Sequence, residues 1–298
     1  MSARPDNYLT SPQGPGSVRL TDTGRAFAPG LYRGVPIDEY HASSAISNSG
    51  LSLVNRSPWL YWSRTLDPTR PPPLEKAGQF EGELLHCALL EPDQFDLRYV
   101  VGPSVHRGTK TWKEWCAAHT DRHPIQGDQR ETAFAQADSA RKIKDVADAV
   151  SHGDREVSVF WNDPLTGVLC RCRPDFVHEA SRGVVLVDAK TYSNADPEDF
   201  ARQCARKGYH RQAAFYTDGY TACTGREVLA FIFVVIETEW PYAASAVMLD
   251  KASMHAGRVL YRRNLNRYAD CLKNNTWPSY SSAIELVSLP HYALEDDL

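Results

Sequence analysis

Cys170-Arg171-Cys172-Arg173-Pro174-Asp175-Phe176-Val177 is followed, after a turn at Ser181-Arg182-Gly183, by Val184-Val185-Leu186-Val187-Asp188-Ala189-Lys190. The two apolar runs read as adjacent antiparallel strands, each carrying one carboxylate, the second ending in Asp-Ala-Lys. A tight turn between them brings Asp175 and Asp188 together. Asp188 and Lys190 are two apart in a strand, so both project to one face. Cys170 and Cys172 alternate with Arg171 and Arg173, which makes the thiols small core residues rather than metal ligands.

Helices flank this stretch on both sides. Upstream, a helix from about Leu74 to Leu90 is stopped by Glu91-Pro92 and carries Gly82 and His86 one turn apart, with Glu83 beside them. A glycine inside a helix costs about 1 kcal/mol against alanine, so a close approach is expected at Gly82. Downstream, Asp196-Pro197 opens a helix to about Lys207. Another, Tyr209 to Thr221, sets Gln212 and Tyr216 on one face. Strands are expected at Phe95–Val101, Glu156–Trp161, Val228–Ile236 and Tyr242–Leu249, and helices at Trp112–His119, Glu131–Val150 and Lys251–Lys273. Asn162 to Gly167 is a hairpin signal. Ser57-Pro58 starts a short helix with Trp59, Leu60, Tyr61 and Trp62, whose density reads more readily as a core anchor than as a base-stacking surface. Arg258, Arg262, Arg263 and Arg267 lie off the apolar stripe of the last helix, as phosphate contacts or a solvated face.

Composition narrows the class without deciding it. With 298 residues, 42% apolar and 23% charged, the chain suits one large domain. Residues 1–30, rich in Pro, Gly and Ser, read as a mobile arm, 31–293 as one domain, and 294–298 as an acidic tail. The net charge of −4 announces no nucleic-acid binder, so phosphate attraction requires a local basic surface. Seven cysteines without a C-x-x-C, and no apolar run near 18 residues, point to reduced thiols in a soluble cytoplasmic protein with no membrane partner.

Phosphodiester hydrolysis needs an activated water, charge stabilisation on the phosphorus oxygens and help for the leaving oxygen, which hard divalent cations supply. Asp175 and Asp188 suit such an ion, the Ala189 carbonyl is a further ligand candidate, and the Lys190 ammonium can polarise the attacking water. Asp-x-Lys by itself, a common tripeptide, is better explained by an ion pair at a strand end. The ordered set is more specific: Gly82-x-x-x-His86, Arg173-Pro174-Asp175, Asp188-Ala189-Lys190, then Gln212-x-x-x-Tyr216.

This set resembles the PD-(D/E)-x-K nuclease superfamily in its RecB-like branch, and within it the exonuclease VIII (RecE) type. Tyr40-His41, Ser57-Pro58, Leu90-Glu91-Pro92, Tyr209-His210, Trp277-Pro278 and Ser288-Leu289-Pro290 add to the likeness, which spans about residues 31–293. The resemblance implies an α/β (α+β) restriction-endonuclease-like core, a mixed central sheet flanked by helices. It implies Asp175, Asp188 and Lys190 as catalytic, and His86, Asp175, Asp188 and Ala189 at the metal, Mg²⁺ or alternatively Mn²⁺. Gln212, Tyr216, Arg171 and Arg173 become substrate contacts, and Glu83 is left open. The activity implied is 5′-to-3′ digestion of linear double-stranded DNA to leave 3′ overhangs for recombination, in a bacterial or phage-infected cell. A homo-oligomeric ring and a single-strand annealing partner are also implied. The competing expectations are a restriction-like endonuclease and a non-catalytic DNA-binding protein that keeps the fold.

Overall fold

The computed structural model describes residues 19–21, 24–72 and 78–290. The chain begins with β1 (Arg19–Thr21), β2 (Gly24–Ala26), β3 (Gly30–Tyr32), α1 (Ile37–Ala42), α2 (Asn48–Arg56) and α3 (Pro58–Tyr61). There follow α4 (Gln79–Leu90), α5 (Pro92–Arg98), β4 (Tyr99–Val101), α6 (Lys110–Ala118), β5 (His123–Ile125), α7 (Gly127–Arg141) and α8 (Lys144–Ser151). The second half runs β6 (Gly153–Arg155), β7 (Ser158–Asn162), β8 (Leu169–Cys172), β9 (Phe176–Ala180) and β10 (Gly183–Tyr192). It closes with α9 (Pro197–Lys207), α10 (Tyr209–Thr224), β11 (Val228–Glu237), β12 (Ala244–Met248) and α11 (Lys251–Asn274).

The central sheet has the order β12-β11-β10-β9-β6 and is mixed: β10 and β11 run parallel, every other pair antiparallel. A parallel pair needs a crossover, and α9–α10 provide it. Asp196 accepts from the amides of Glu198 and Asp199, both at 3.0 Å, and Pro197 occupies the first turn, which fixes where α9 starts. Gly208, at φ +73°, ends α9 and turns the chain into α10, a backbone state that glycine adopts without a Cβ penalty.

Strand alternation divides the core between the two faces of the sheet. Val187 and Ala189 of β10 join Leu84, Leu85 and Ala88 of α4 and Ala133 and Ala137 of α7 on one side. Val184 and Leu186 join Phe200 of α9, Ala213 and Phe215 of α10 and Leu265 of α11 on the other. Asp188 and Lys190 share the second face, so their side chains reach toward α9 and α10 while α4 lies behind the strand.

Several expectations are corrected. The run Cys170–Val177 is not one strand. Leu169–Cys172 pairs with β7 in a separate sheet of order β3-β7-β8, and Arg173-Pro174-Asp175 crosses from that sheet to the central one. Proline, lacking an amide donor, suits the crossing point. The second strand does not end at Lys190 but continues to Tyr192, paired throughout with β11. Residues 92–98 are helical because Pro92 sits in the first turn of α5 and Phe95 is driven into the core, which leaves only Tyr99–Val101 as strand. The helix expected over 131–150 breaks after Arg141, whose guanidinium donates to the Ala88 and Leu89 carbonyls at 2.6 and 2.8 Å. The stretch 1–30 is described only at 19–21 and 24–30, where β1 pairs with β2 and Phe27 is buried, stacked on Phe160 at 4.4 Å. The remainder of the arm and the acidic tail at 294–298 lie outside the described residues.

Candidate active site

The β9–β10 ladder pairs Leu186 with Val177 and Val187 with Phe176. Just past this last pair, Asp175 leads into β9 while Asp188 continues β10, so the two carboxylates stand at the end of the ladder. Both carboxylates are buried, Asp188 at 2% exposure and Asp175 at 9%. Buried charges persist only when paired and hydrogen-bonded, and both are. Asp188 receives Lys190 Nζ on Oδ2 at 2.5 Å and the Gln212 amide on Oδ1 at 2.5 Å. Asp175 Oδ2 accepts from the Ala189 amide at 2.8 Å. Lys190 also lies 5.2 Å from the centre of the Tyr209 ring, a cation–π contact.

His86 reaches this point from α4, behind the strand. Its Nε2 is 3.2 Å from the Ala189 carbonyl and 3.5 Å from Asp175 Oδ2, and its Nδ1 is 4.0 Å from Glu156 Oε1. Glu156 is the residue that sequence reasoning missed: it reads as the first position of a strand and belongs to no recognised motif. Its backbone is in the left-handed region at φ +49°, unusual for a non-glycine residue, and its amide donates to the Asp175 carbonyl at 3.0 Å. Arg173 Nε holds Glu156 Oε2 at 2.8 Å. No spacing rule connects Glu156 to His86. Only the crossing from β8 to β9 and the extended connection before β7 bring them together.

The cluster balances three carboxylates, Glu156, Asp175 and Asp188, against His86, Arg173 and Lys190. Burial opposes charge on the His86 ring, but Asp175 and Glu156 outweigh it and raise its pKa to about 9. Burial, reinforced by Asp188 and Glu156, lifts Asp175 to about 7 against the pull of His86 and Lys190. Burial also disfavours the Lys190 ammonium, yet Asp188 and Asp175 hold its pKa above the ordinary value. Glu156 is drawn below its ordinary value by His86 and Arg173, which overcome its burial. His86, Glu156 and Asp175 each offer a ligand atom within 4.8 Å of one another. An imidazole and two carboxylates, with the Asp188 carboxylate and the Ala189 carbonyl adjoining, form an oxygen-rich donor set that fits a divalent cation.

Gln212 and Tyr216 approach from α10. Tyr216, one turn beyond Gln212, is half-buried with its ring edge-on to Phe231 at 6.1 Å, and burial pushes its phenol well above the ordinary value. Arg171 is not brought to the site's open side. It is buried, and its guanidinium donates to the carbonyls of Tyr40 at 2.5 Å and Ser43 at 2.8 Å, tying α1 to β8. Arg173 is committed to Glu156 and to the Val35 carbonyl at 3.0 Å. Glu83 is exposed and bonded to Gln79, away from the cluster. Among the described residues nothing approaches Gly82: a Cβ there would meet none of their atoms within 4 Å. Arg258 and Arg262 are bound to Asp218 and Asp163.

A mixed sheet that sets paired carboxylates and Asp-x-Lys on adjacent strands, with a histidine from the preceding helix, defines the PD-(D/E)-x-K nuclease superfamily. Residues 74–290 match the sequence model of a family described as a PDDEXK-like domain of unknown function (DUF3799), and the chain belongs to that family. No curated protein matches it in sequence. Among solved structures it is similar in fold to a "putative exonuclease" from Eubacterium rectale, with a TM-score of 0.57 and 12% identity over 85% of this chain and 94% of that one. An alkaline exonuclease from Laribacter hongkongensis aligns with a TM-score of 0.29 and 16% identity, over 56% of this chain and 86% of that one.

Proposed function

We propose that this protein is a divalent-metal-dependent exodeoxyribonuclease of the exonuclease VIII type, acting on linear double-stranded DNA. The observation that carries the reading is the meeting of Asp175 and Asp188 at the end of the β9–β10 ladder, with the Ala189 amide on Asp175 Oδ2 and Lys190 Nζ on Asp188 Oδ2. His86, Glu156, Asp175, Asp188 and the Ala189 carbonyl would hold the ion, Mg²⁺ or Mn²⁺, which when bound would supply Lewis acidity toward the phosphate oxygens.

The chain's own groups do the remainder. His86 would join the ligand set only as the neutral imidazole, a deprotonation that Asp175 and Glu156 oppose in the metal-free protein. Lys190, held by Asp188 and the Tyr209 ring, orients a water for attack and offsets negative charge developing on the phosphate. Gln212 fixes the plane of the Asp188 carboxylate, acting on it directly before it acts on substrate. Tyr216, its phenol neutral, walls the α10 side and offers a donor to a phosphate oxygen. Arg173 steers Glu156 rather than the substrate.

The test is purified protein with end-labelled linear duplex, single-stranded and closed circular DNA, with Mg²⁺ or with chelator. Metal-dependent loss of linear duplex alone, with Asp188→Ala and Lys190→Ala both inactive, is the expected result. Release from a 5′ label before a 3′ label sets the polarity as 5′-to-3′, leaving 3′ overhangs. Nicking of circles would replace the reading with an endonuclease, and ion binding without turnover would leave a DNA-binding protein. A ring and an annealing partner, which this type of enzyme implies, are tested by native mass and co-purification.

A further inference from the structure

The aromatic helix after Ser57-Pro58 divides its rings between two surroundings. Tyr61 is buried at 3% exposure, edge-on to Tyr268. Trp59 and Trp62, three residues apart and therefore on one face, stack on each other at 5.1 Å with 17° between their planes. Trp59 is 44% exposed, and Trp62, which opens the π-helical turn Trp62–Leu66, is half-buried. Core anchoring, the expectation from sequence, holds for Tyr61 and not for the indole pair. Leaving a stacked indole pair in water forgoes the burial that such rings normally gain.

The charge around the pair is mostly positive. From Ala42 to Leu66 the chain has no Asp or Glu, although its net charge is −4; Asp67 follows, its amide donating to the Trp62 carbonyl at 2.9 Å and its carboxylate accepting from Thr69. Arg56 and Arg64 are exposed on this segment. α11 adds two more at the C-terminal end of α2: Arg263 donates to Asn55 Oδ1 at 2.9 Å and Arg267 to the Val54 carbonyl at 3.4 Å. Among the described residues none of these four pairs with a carboxylate, whereas Arg258 and Arg262 on the same helix both do. Tyr280, 67% exposed, places its hydroxyl 3.4 Å from the Arg56 guanidinium and brings a third ring to the patch.

We propose that this surface binds single-stranded DNA, with bases stacking on the Trp59–Trp62 pair and phosphates on Arg56, Arg263 and Arg267. Four guanidiniums with no carboxylate partner among the described residues select a polyanion, and exposed indole faces select one whose bases are free to stack. A duplex hides its base faces and could use only the arginines. The other end of α2 touches the active-site helix, where Arg211 Nε donates to Asn48 Oδ1 at 2.9 Å beside Gln212. The nine residues of α2 span about 14 Å, so a strand held at Arg56 lies within a few nucleotides of the carboxylates. That use of the surface rests on the nuclease reading; the binding itself does not.

Anisotropy of a fluorescein-labelled oligo-dT 12-mer, measured in EDTA so that nothing turns over, tests the binding apart from catalysis. The Trp59→Ala/Trp62→Ala double variant is expected to bind about tenfold more weakly or worse, while affinity for a 12-bp duplex changes by less than about twofold. Trp59→Phe, which keeps a ring, retains most of the affinity. Arg263→Gln/Arg267→Gln lowers the slope of log K against log salt by about 1.4 for the single strand. If the double variant melts early, Trp59→Phe against Trp59→Leu is compared instead, and a loss confined to Leu supports the proposal. Unchanged oligo-dT binding in the tryptophan variants, or equal loss for single strand and duplex, overturns it. Failure of the nuclease reading would appear separately, as no cleavage with Mg²⁺.

Discussion

Replacing Asp175 by Asn should make the metal-free protein more stable while destroying its response to metal. Asp175 has a folded pKa of about 7 against an ordinary 3.8, because burial and the neighbouring Asp188 and Glu156 disfavour its charge. That difference corresponds to about 4 kcal/mol of destabilisation once the group is ionised in both states. The sign follows from linkage: the penalty is absent below the unfolded pKa, grows as pH rises from 3.8, and is complete above about 7. Asparagine has the same shape, and its amide oxygen can still accept from the Ala189 amide. It also loses the contact with His86 at 3.5 Å, but the shift to about 7 is already net of that attraction. The gain at pH 8 is therefore about 4 kcal/mol, or roughly 8–16 °C in Tm for a domain of this size. Near pH 5 the gain should fall to less than about half of this, since Asp175 is then protonated in the folded protein. Saturating Mn²⁺ at 100 times Kd should raise the wild-type protein by about 2.7 kcal/mol and leave Asp175→Asn unmoved. Thermal unfolding followed by circular dichroism at pH 5 and pH 8, with and without Mn²⁺, measures all four quantities. A metal-free variant less stable than wild type at pH 8, or an advantage independent of pH, would refute the reasoning.

Metal affinity should rise steeply with pH, because His86 and Asp175 must both be deprotonated to act as ligands. With pKa values of about 9 and about 7, Mn²⁺ binding strengthens by about tenfold per pH unit between them; calorimetry in buffers of different ionisation enthalpy should show proton release at pH 8 and none at pH 10. Gly82→Ala should stabilise the protein by about 0.5–1 kcal/mol in urea unfolding, since a Cβ there meets no atom of the described residues within 4 Å; a loss of stability would mean an unrecognised close approach. Arg171→Met should cost about 3–5 kcal/mol in the same assay by stranding the Tyr40 and Ser43 carbonyls, with no change in the salt slope of DNA binding. A slope reduced by about 1 would restore Arg171 as a phosphate contact.

The pieces whose information is local were legible in the amino-acid order alone. Asp196-Pro197 set the start of α9 through a side-chain cap, and Asn162 to Gly167 closed the β7–β8 hairpin. The period-2 pattern of Val184–Lys190 put Asp188 and Lys190 on one face, and helical spacing put Gln212 and Tyr216 on another. Where strands stop and which neighbours they choose depends on long-range pairing. Long-range pairing therefore placed Cys170 and Phe176 in different sheets, with Asp175 at the crossing, and ran β10 on to Tyr192 beside β11. It also decided which charges meet. Arg171 was drawn inward by carbonyls far away in the chain, and Glu156, unremarkable in sequence, was folded against His86 in a left-handed backbone. Local propensity acts over a few residues, whereas a buried charge must find its partner wherever the packed chain puts one, which is why the strands and helices could be read beforehand and the electrostatics of the site could not.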